Sequence, residues 1–586
     1  MVKHNSILEH KTYLYLTEFF CGMSVMAVEL GASRLLAPYF SSSQIVWTII
    51  IGTIMIAMAL GNLYGGKKAD QDPDPERLYR RILIAAMWIA AIPVAGKYLI
   101  IGISGLLVFS VNTGFLVIAA FVSCMVIFVF PLFLLGTVTP CLCKAVMSDL
   151  EENGRIVGRL NAANTIGSII GTFVPTFISI PAVGTSVTFL IFSGILLLLC
   201  LFYFCAEKKS RIRLGIALVL FLLCVIFGCR SSFAFWQKDL TYEGESVYNY
   251  LQVYETEKDV VLSTNVLFGV QSVYRKEPGL TGMYYDYAMA GPFMAGLHEK
   301  DQLNILVLGM GSGTYATQCL RFMDNVSVRG VEIDEKITSL AREYFSLSPD
   351  IPVTTYDGRA YLQTDTEKYD VIFVDAYQDI TIPFQMSSKE FFTLVKQHLT
   401  EDGVMVVNLN MRGSQEDNIN QYLGDTIASV FRGVWQIDVP WYTNRILYAA
   451  DWMEGESEEE RDDTVQGNLQ LPVRGGTDEE ERDDTFRENL QLSVREGADE
   501  KEYDNIFRKR FQLSVRKETD EELRVLMETI CREMTVYESG DRLLTDDKAP
   551  VELLGMQVID ELITEETEYY KDIFREQGIQ GLLDSL

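Results

Sequence analysis

Three acidic side chains and one glycine run follow successive apolar stretches, so a single ligand could meet them all. Gly309-Met310-Gly311-Ser312-Gly313 follows the run Asn304–Leu308 and opens into a helical stretch, Thr314–Phe322. Glu332 closes a second run, Asp357-Gly358 a third, and Asp375 a fourth, Asp370–Val374. Glycine lets the backbone turn through positive φ and come close to a ligand. A carboxylate about twenty residues beyond such a turn can accept both hydroxyls of a ribose. Gly309, Gly311 and Gly313 are followed at once by Thr314, without the wider spacing that receives a pyrophosphate, so a phosphate-free adenosyl group is the expected ligand. A glycine turn alone closes many ordinary strand-to-helix connections; the repeated polar residue at the strand ends is what turns it into a site.

Positioning these groups takes a parallel sheet. Strands are predicted at Asn304–Leu308, Val326–Ile333, Pro352–Tyr356 and Asp370–Val374, with helices at Thr314–Phe322 and Glu335–Phe345 between them. Strand, glycine turn and helix in that order make an α/β Rossmann-like domain with ligands at the carboxyl edge. Ahead of it, Tyr250–Tyr254, Val260–Leu262 and Val266–Val273 alternate as a small antiparallel sheet, and a helix is expected from Tyr285 to Leu297.

The first 230 of the 586 residues are of another kind. Apolar runs near 13–36, 44–65, 82–108, 113–139, 160–182, 185–205 and 213–229 approach the roughly 20 residues that cross a bilayer as helix. They predict a polytopic α-helical membrane bundle with the lipid bilayer as partner. Lys67, Lys68, Arg77, Arg80 and Arg81, then Lys144, Arg155 and Arg159, then Lys208, Lys209, Arg211 and Arg213 mark three cytoplasmic loops, whereas the loops near Ser41, Asn112 and Val183 are almost uncharged. Seven crossings would leave the second half outside. A cytoplasmic soluble domain is nevertheless the expectation, which requires that the short last run not cross, or that the run containing Lys97 be two. Glu29 and Arg34 either face a functional cavity or form an interfacial pair in which Arg34 reaches toward Tyr39 and the headgroups. Gly167 and Gly171, with Asn161, Asn164 and Thr165 before them, predict close helix packing.

The net charge of −29 disfavours nucleic acid as a partner. Eight of the ten cysteines lie in the apolar half, which is no disulfide framework, and with four histidines no metal site is expected. Three copies of a 21-residue acidic repeat begin at Glu458, Glu479 and Glu500; with few apolar residues they read as an inserted surface loop. The expected organisation is a membrane domain over 1–230, a small β-subdomain over 240–300, a Rossmann-like domain over 301–452, the acidic insertion over 453–519 and a completing helix and strand over 520–586.

Several motifs in order carry a resemblance. Ser246-Val247-Tyr248-Asn249, Gln271, Tyr284-Tyr285-Asp286, the Gly309 turn, Val331-Glu332-Ile333-Asp334, Asp357-Gly358 and Val374-Asp375 through Ser388-Lys389-Glu390-Phe391-Phe392 resemble the spermidine/spermine synthase family of polyamine biosynthesis. Glu29–Arg34, Gly65–Asp70, Asn161–Thr165 and Thr545–Glu552 resemble bacterial forms fused to a membrane domain. The resemblance implies an S-adenosylmethionine methyltransferase-type fold, possession of a homodimer interface, and aminopropyl transfer from decarboxylated S-adenosylmethionine to a polyamine. It makes Asp375 the catalytic carboxylate. Glu332 would hold the ribose, Asp357 and Gly358 the adenine and Gln271 the cofactor tail, with Tyr284, Asp286 and Asp379 on the acceptor side. Ser312 stands where such synthases carry an acid, Asn249 stands for a Gln, and Asp375 and Asp379 are four apart instead of three. Methyl transfer from S-adenosylmethionine, and a silent adenosyl-binding domain regulating a transporter-like bundle, are the alternatives.

Overall fold

The seven apolar runs are all helical in a computed structural model of the chain, which describes residues 11–564 apart from 42, 73, 109–110, 112–113, 147–152, 208–210, 238, 267–269, 377–381, 411, 414–415 and 452–499, and with them 568 and 576. They form α1 (Lys11–Phe40), α2 (Gln44–Gln71), α3 (Pro75–Val108), α4 (Phe115–Gly136), α6 (Asn153–Val174), α7 (Ile180–Ala206) and α8 (Arg211–Gly228); a short α5 (Val138–Val146) follows α4. Among the described residues, five helical stretches are long and apolar enough to cross a membrane, by length and composition: α1, α2, α3, Phe115–Val146 and Gly154–Ala206. The last is one run only by continuity, since Gly184 breaks it with φ 81°. Lys97 lies within an uninterrupted α3, where its ammonium donates to the Ser232 carbonyl at 2.7 Å.

Small residues set the central contact. A Cβ on Gly167 would stand 2.0 Å from the Phe19 carbonyl oxygen, and one on Gly171 2.1 Å from that of Met23, so α1 and α6 pack backbone to backbone. Asn164 faces this seam, and its amide donates to Glu18 at 2.8 Å, joined by the Thr139 hydroxyl at 2.5 Å. Asn161 and Thr165 face outward.

The two ends of the bundle differ. At one, Lys144 pairs with Asp70 and Arg81 lies against Cys141. At the other, the chain meets the second half. The Val266 amide donates to the Pro38 carbonyl at 2.9 Å, the Gln44 amide to Glu552 at 2.6 Å, and the Gly114 and Phe115 amides to Asp560 at 2.8 and 3.1 Å. Thr185 donates through amide and hydroxyl to Glu245, both at 2.6 Å. The basic loops and the soluble half therefore sit at opposite ends.

That half begins with an antiparallel sheet, β1 (Leu240–Glu245), β2 (Tyr250–Glu255), β3 (Asp259–Ser263) and β4 (Ser272–Arg275), paired in chain order. The single helix expected over Tyr285–Leu297 is two short ones, α9 (Tyr284–Ala288) and α10 (Ala290–Met294). The main domain follows: β5 (Leu303–Leu308), α11 (Thr314–Phe322), β6 (Val326–Glu332), α12 (Glu335–Tyr344), β7 (Val353–Thr355), α13 (Gly358–Thr364), β8 (Tyr369–Val374), α14 (Lys389–Gln397), β9 (Leu399–Leu409), α15 (Ile419–Ala428), β10 (Gly433–Asp438), β11 (Arg445–Ala450) and β12 (Thr535–Val536). The sheet runs β12-β10-β11-β9-β8-β5-β6-β7; β7, β6, β5, β8 and β9 are parallel and the rest antiparallel. This mixed order, with an antiparallel hairpin beyond five parallel strands, is that of the methyltransferase-type fold.

The third acidic copy departs from expectation. Glu500–Val515 is a helix, not a surface loop, and Phe507, Phe511 and Val515 on its inner face are buried. Phe507 stacks on Trp435 with ring centroids 3.5 Å apart, and the indole N–H donates to Asp504 at 3.0 Å. The spacing of those three apolar residues is one helix face, hidden in the sequence by the charged residues around it. The two earlier copies lie outside the described residues. Replacing Phe507 by Ala is expected to cost about 3–5 kcal/mol, a large-to-small change in a core, seen as a lowered unfolding transition of the soluble half in calorimetry.

Candidate active site

Leaving β5 the chain goes one way, to β6 and β7, and then crosses to β8 and β9 on the other side. The crevice at such a reversal is where open α/β sheets bind ligands. The two strand ends meet there: the Asp375 amide donates to the Leu308 carbonyl at 2.9 Å, and the Gly309 amide to that of Val331 at 2.9 Å. Gly309 turns with φ 89°, and a Cβ on it would stand 2.5 Å from the Asp375 carbonyl oxygen. Only glycine fits both constraints. Gly313 is similarly fixed: φ is 77°, and a Cβ would meet Leu347 at 2.6 Å.

Asp375 is the centre of the site. One oxygen accepts from the Tyr284 hydroxyl and the other from the Asn408 amide, both at 2.8 Å. Burial pushes its carboxyl up to about 7 against those two hydrogen bonds, and the Glu332 charge adds to the rise. Burial, then the Asp375 charge, drive the Tyr284 phenol far above its ordinary value, so it remains a donor. Asn408 lies near the end of β9 and is itself oriented by Asn444, whose amide donates to its carbonyl oxygen at 2.9 Å.

Glu332 ends β6, buried, and accepts from the Gly311 amide at 3.0 Å and the Asp334 amide at 3.1 Å. Burial raises its carboxyl to about 6. A carboxylate has about four acceptor positions, so it can accept a ribose hydroxyl beside these backbone amides. Asp357 caps α13 by accepting from the Ala360 amide at 2.8 Å, which fixes the Asp357-Gly358 corner. Arg359, two residues on, makes a two-pronged ion pair with Asp546 at 2.6 and 2.7 Å, and the Ser388 hydroxyl donates to the same carboxylate at 2.6 Å. The Thr545–Glu552 motif thus braces the α13 and α14 starts.

The structure does not bring every expected residue to this point. Asp286 turns both oxygens inward, to the Thr281 hydroxyl at 2.9 Å and the Gly282 amide at 2.6 Å, and so shapes the loop ahead of α9. Gln271 lies just ahead of β4, its backbone N–H donating to the Leu262 carbonyl at 2.9 Å. Ser312 is buried; its hydroxyl bonds Thr314 at 2.8 Å and its amide donates to Ser272 at 3.4 Å, so it ties the glycine turn to β4. Asp379 lies outside the described residues. Sequence reading missed Asn408 and Asn444: a neutral amide at a strand end carries no pattern of its own.

The chain resembles known proteins in sequence. The family description "spermine/spermidine synthase domain" matches residues 288–458. A protein of Bifidobacterium longum named probable polyamine aminopropyl transferase is 46% identical over 389 residues, covering 65% of this chain and 77% of its own. The polyamine aminopropyltransferase of Vibrio vulnificus is 28% identical over 242 residues, covering 40% of this chain and 78% of its own. Among solved structures, a probable spermidine synthase from Corynebacterium glutamicum aligns with a TM-score of 0.32 and 21% identity, covering 37% of this chain and 83% of that one. With a relative 46% identical over more than three quarters of that relative's length, the chain belongs to the spermine/spermidine synthase family.

Proposed function

We propose that the chain is an aminopropyltransferase that moves the three-carbon amine of decarboxylated S-adenosylmethionine onto a polyamine, with Asp375 as the group that receives the proton. The observation carrying this reading is the carboxyl at about 7, held between Tyr284 and Asn408 at the reversal of the sheet. A primary amine is an ammonium near neutrality, with an ordinary value of about 10. The Asp375 carboxylate takes one proton from that ammonium, which frees the nitrogen lone pair; the neutral amine attacks, and as the new N–C bond forms the methylene's bond to sulfur breaks and the sulfonium leaves as neutral methylthioadenosine. The positive charge passes from sulfur to the new secondary ammonium, whose ordinary value is again about 10. Tyr284 and Asn408 donate to that carboxylate and keep it facing the amine. Glu332 holds the ribose, and Asp357 with Gly358 forms the adenine corner.

Full-length protein in detergent, given decarboxylated S-adenosylmethionine and putrescine or spermidine, is expected to release methylthioadenosine. Release of adenosylhomocysteine from S-adenosylmethionine in its place would mean methyl transfer.

The apolar helices support a multi-pass membrane position for the first half. The basic loops lie at the end of the bundle away from the soluble domain, α3 is unbroken at Lys97, and α8 continues the packing for 18 residues. Under the positive-inside rule this favours the non-cytoplasmic side for the domain, the reverse of the sequence expectation. Alkaline phosphatase fused after Leu586 is then active in intact cells; an inactive fusion, with a fluorescent protein at the same place bright, puts the domain in the cytoplasm.

A further inference from the structure

Arg34 is held by neither of the partners its sequence position suggests. It lies on α1, near the end that meets the soluble half, and its guanidinium donates to the Val247 carbonyl. Tyr39, the other expected neighbour, donates to the Phe233 carbonyl at 3.0 Å instead. Val247 belongs to the turn between β1 and β2, which Ser246 closes: its hydroxyl accepts from the Tyr248 amide at 3.1 Å and the Asn249 amide at 2.9 Å.

From that turn two donors converge on one carboxylate oxygen. The Ser246 hydroxyl reaches Asp334 at 2.5 Å and the Asn249 side-chain amide reaches the same oxygen at 3.3 Å. The other Asp334 oxygen caps α12 by accepting from the Lys336 amide at 3.0 Å, and the Asp334 backbone amide donates to Glu332 at 3.1 Å. The positive charge of Arg34 acts on Asp334 and on Glu245, the last residue of β1. A continuous line of polar contacts therefore runs from α1 through the 246–249 turn and Asp334 to Glu332. The same helix holds a second wall through Pro38 and Val266, on the segment that leads toward Gln271 and Ser272.

We propose that Arg34 is a positioning residue for the nucleoside: by anchoring the 246–249 turn it fixes Asp334, and through it Glu332, so that adenosyl affinity is linked to the seating of the membrane bundle on the sheet. The inference rests on Glu332 as the ribose acceptor. Linkage of this kind is reciprocal: a shift of α1 that releases Val247 weakens the nucleoside, and a bound nucleoside holds α1 in place by the same factor. Such a link gives the membrane half a say in the chemistry without any residue of it touching substrate.

The test compares R34A, R34Q, R34K, E332Q and D560N in full-length protein in detergent, reading KM for decarboxylated S-adenosylmethionine, inhibition by methylthioadenosine, KM for putrescine and kcat. R34A is expected to raise the sulfonium KM and the methylthioadenosine inhibition constant about tenfold, the scale of one charge-assisted hydrogen bond, with the putrescine KM within about twofold. R34K, which keeps a charged donor, restores most of the loss. R34Q keeps a neutral donor, falls between them, and carries the test if R34A does not fold. D560N breaks the bundle contact at Gly114 and Phe115 and leaves both constants unchanged. The proposal is overturned if the Arg34 variants leave nucleoside binding intact, if they raise both KM values equally, or if D560N matches R34A. An E332Q protein with unweakened methylthioadenosine binding would instead remove the reading of Glu332 on which the proposal stands.

Discussion

Asp375→Asn lowers kcat about 10²- to 10⁴-fold, the usual worth of a positioned proton acceptor, while KM for the sulfonium changes little. The amide is nearly the same shape, and the Tyr284 hydroxyl can accept from it as well as donate. In the unchanged protein the rate rises with pH through about 7, as the carboxylate forms; in the variant that step is absent. Stability moves the opposite way. The native carboxyl holds its proton up to about 7, whereas an unfolded aspartate releases it near about 4. Between those values the unfolded state binds fewer protons than the native one, so folding loses stability as pH rises across that window. The variant's neutral amide avoids that loss. Its unfolding temperature therefore exceeds that of the parent at pH 8 and matches it at pH 4, a comparison made by thermal scans of both proteins at the two pH values.

Gly309→Ala is expected to disable the site by another route. The added methyl must share space with the Asp375 carbonyl, 2.5 Å away, and with the Ala376 Cα, 2.7 Å away, at a φ of 89°. Backbone strain of this kind costs on the order of 1–3 kcal/mol before the clash is counted. Relief requires that the ends of β5 and β8 part, which moves Asp375 away from Tyr284 and Asn408. Activity is expected to fall about 100-fold or more, since a misplacement of about 1 Å has that effect on a reacting pair. A lowered unfolding temperature accompanies it. A Gly309→Ala protein with full kcat would show that the two strand ends need not touch.

These two residues were also the most legible ones. Each of β5 to β8 is a short strand with glycine or an acid at or just past its carboxyl end, so Gly309, Glu332, Asp357 and Asp375 could be read from local pattern. What local pattern cannot carry is a partnership over distance. Ser246 and Asp334 are 88 residues apart, and Asn408 is 33 from Asp375. Arg34 was visible as a charge in an apolar run, but an isolated run supplies only headgroups as its partner; the Val247 carbonyl is 213 residues away. Asp286 is placed on the acceptor side by the family motif Tyr284-Tyr285-Asp286, and a motif does not display the Thr281 hydroxyl and Gly282 amide that its carboxylate accepts from. The buried helix Glu500–Val515 was hidden for a compositional reason: it follows two strongly acidic copies and is itself rich in charge of both signs, and the three apolar residues that matter lie four apart.

The brace at Asp546 has a consequence for the order in which the protein is made. A chain leaves the ribosome from its N-terminus, so the helical bundle and every strand from β1 to β11 emerge before Asp546 can clamp Arg359 beside the Asp357-Gly358 corner, and before Asp560 reaches Gly114. The Asp357-Gly358 corner is therefore braced only after every strand from β1 to β11 has been made. A nascent chain stalled short of Thr545 holds the helical bundle and those strands but leaves Arg359 and Ser388 without the Asp546 carboxylate.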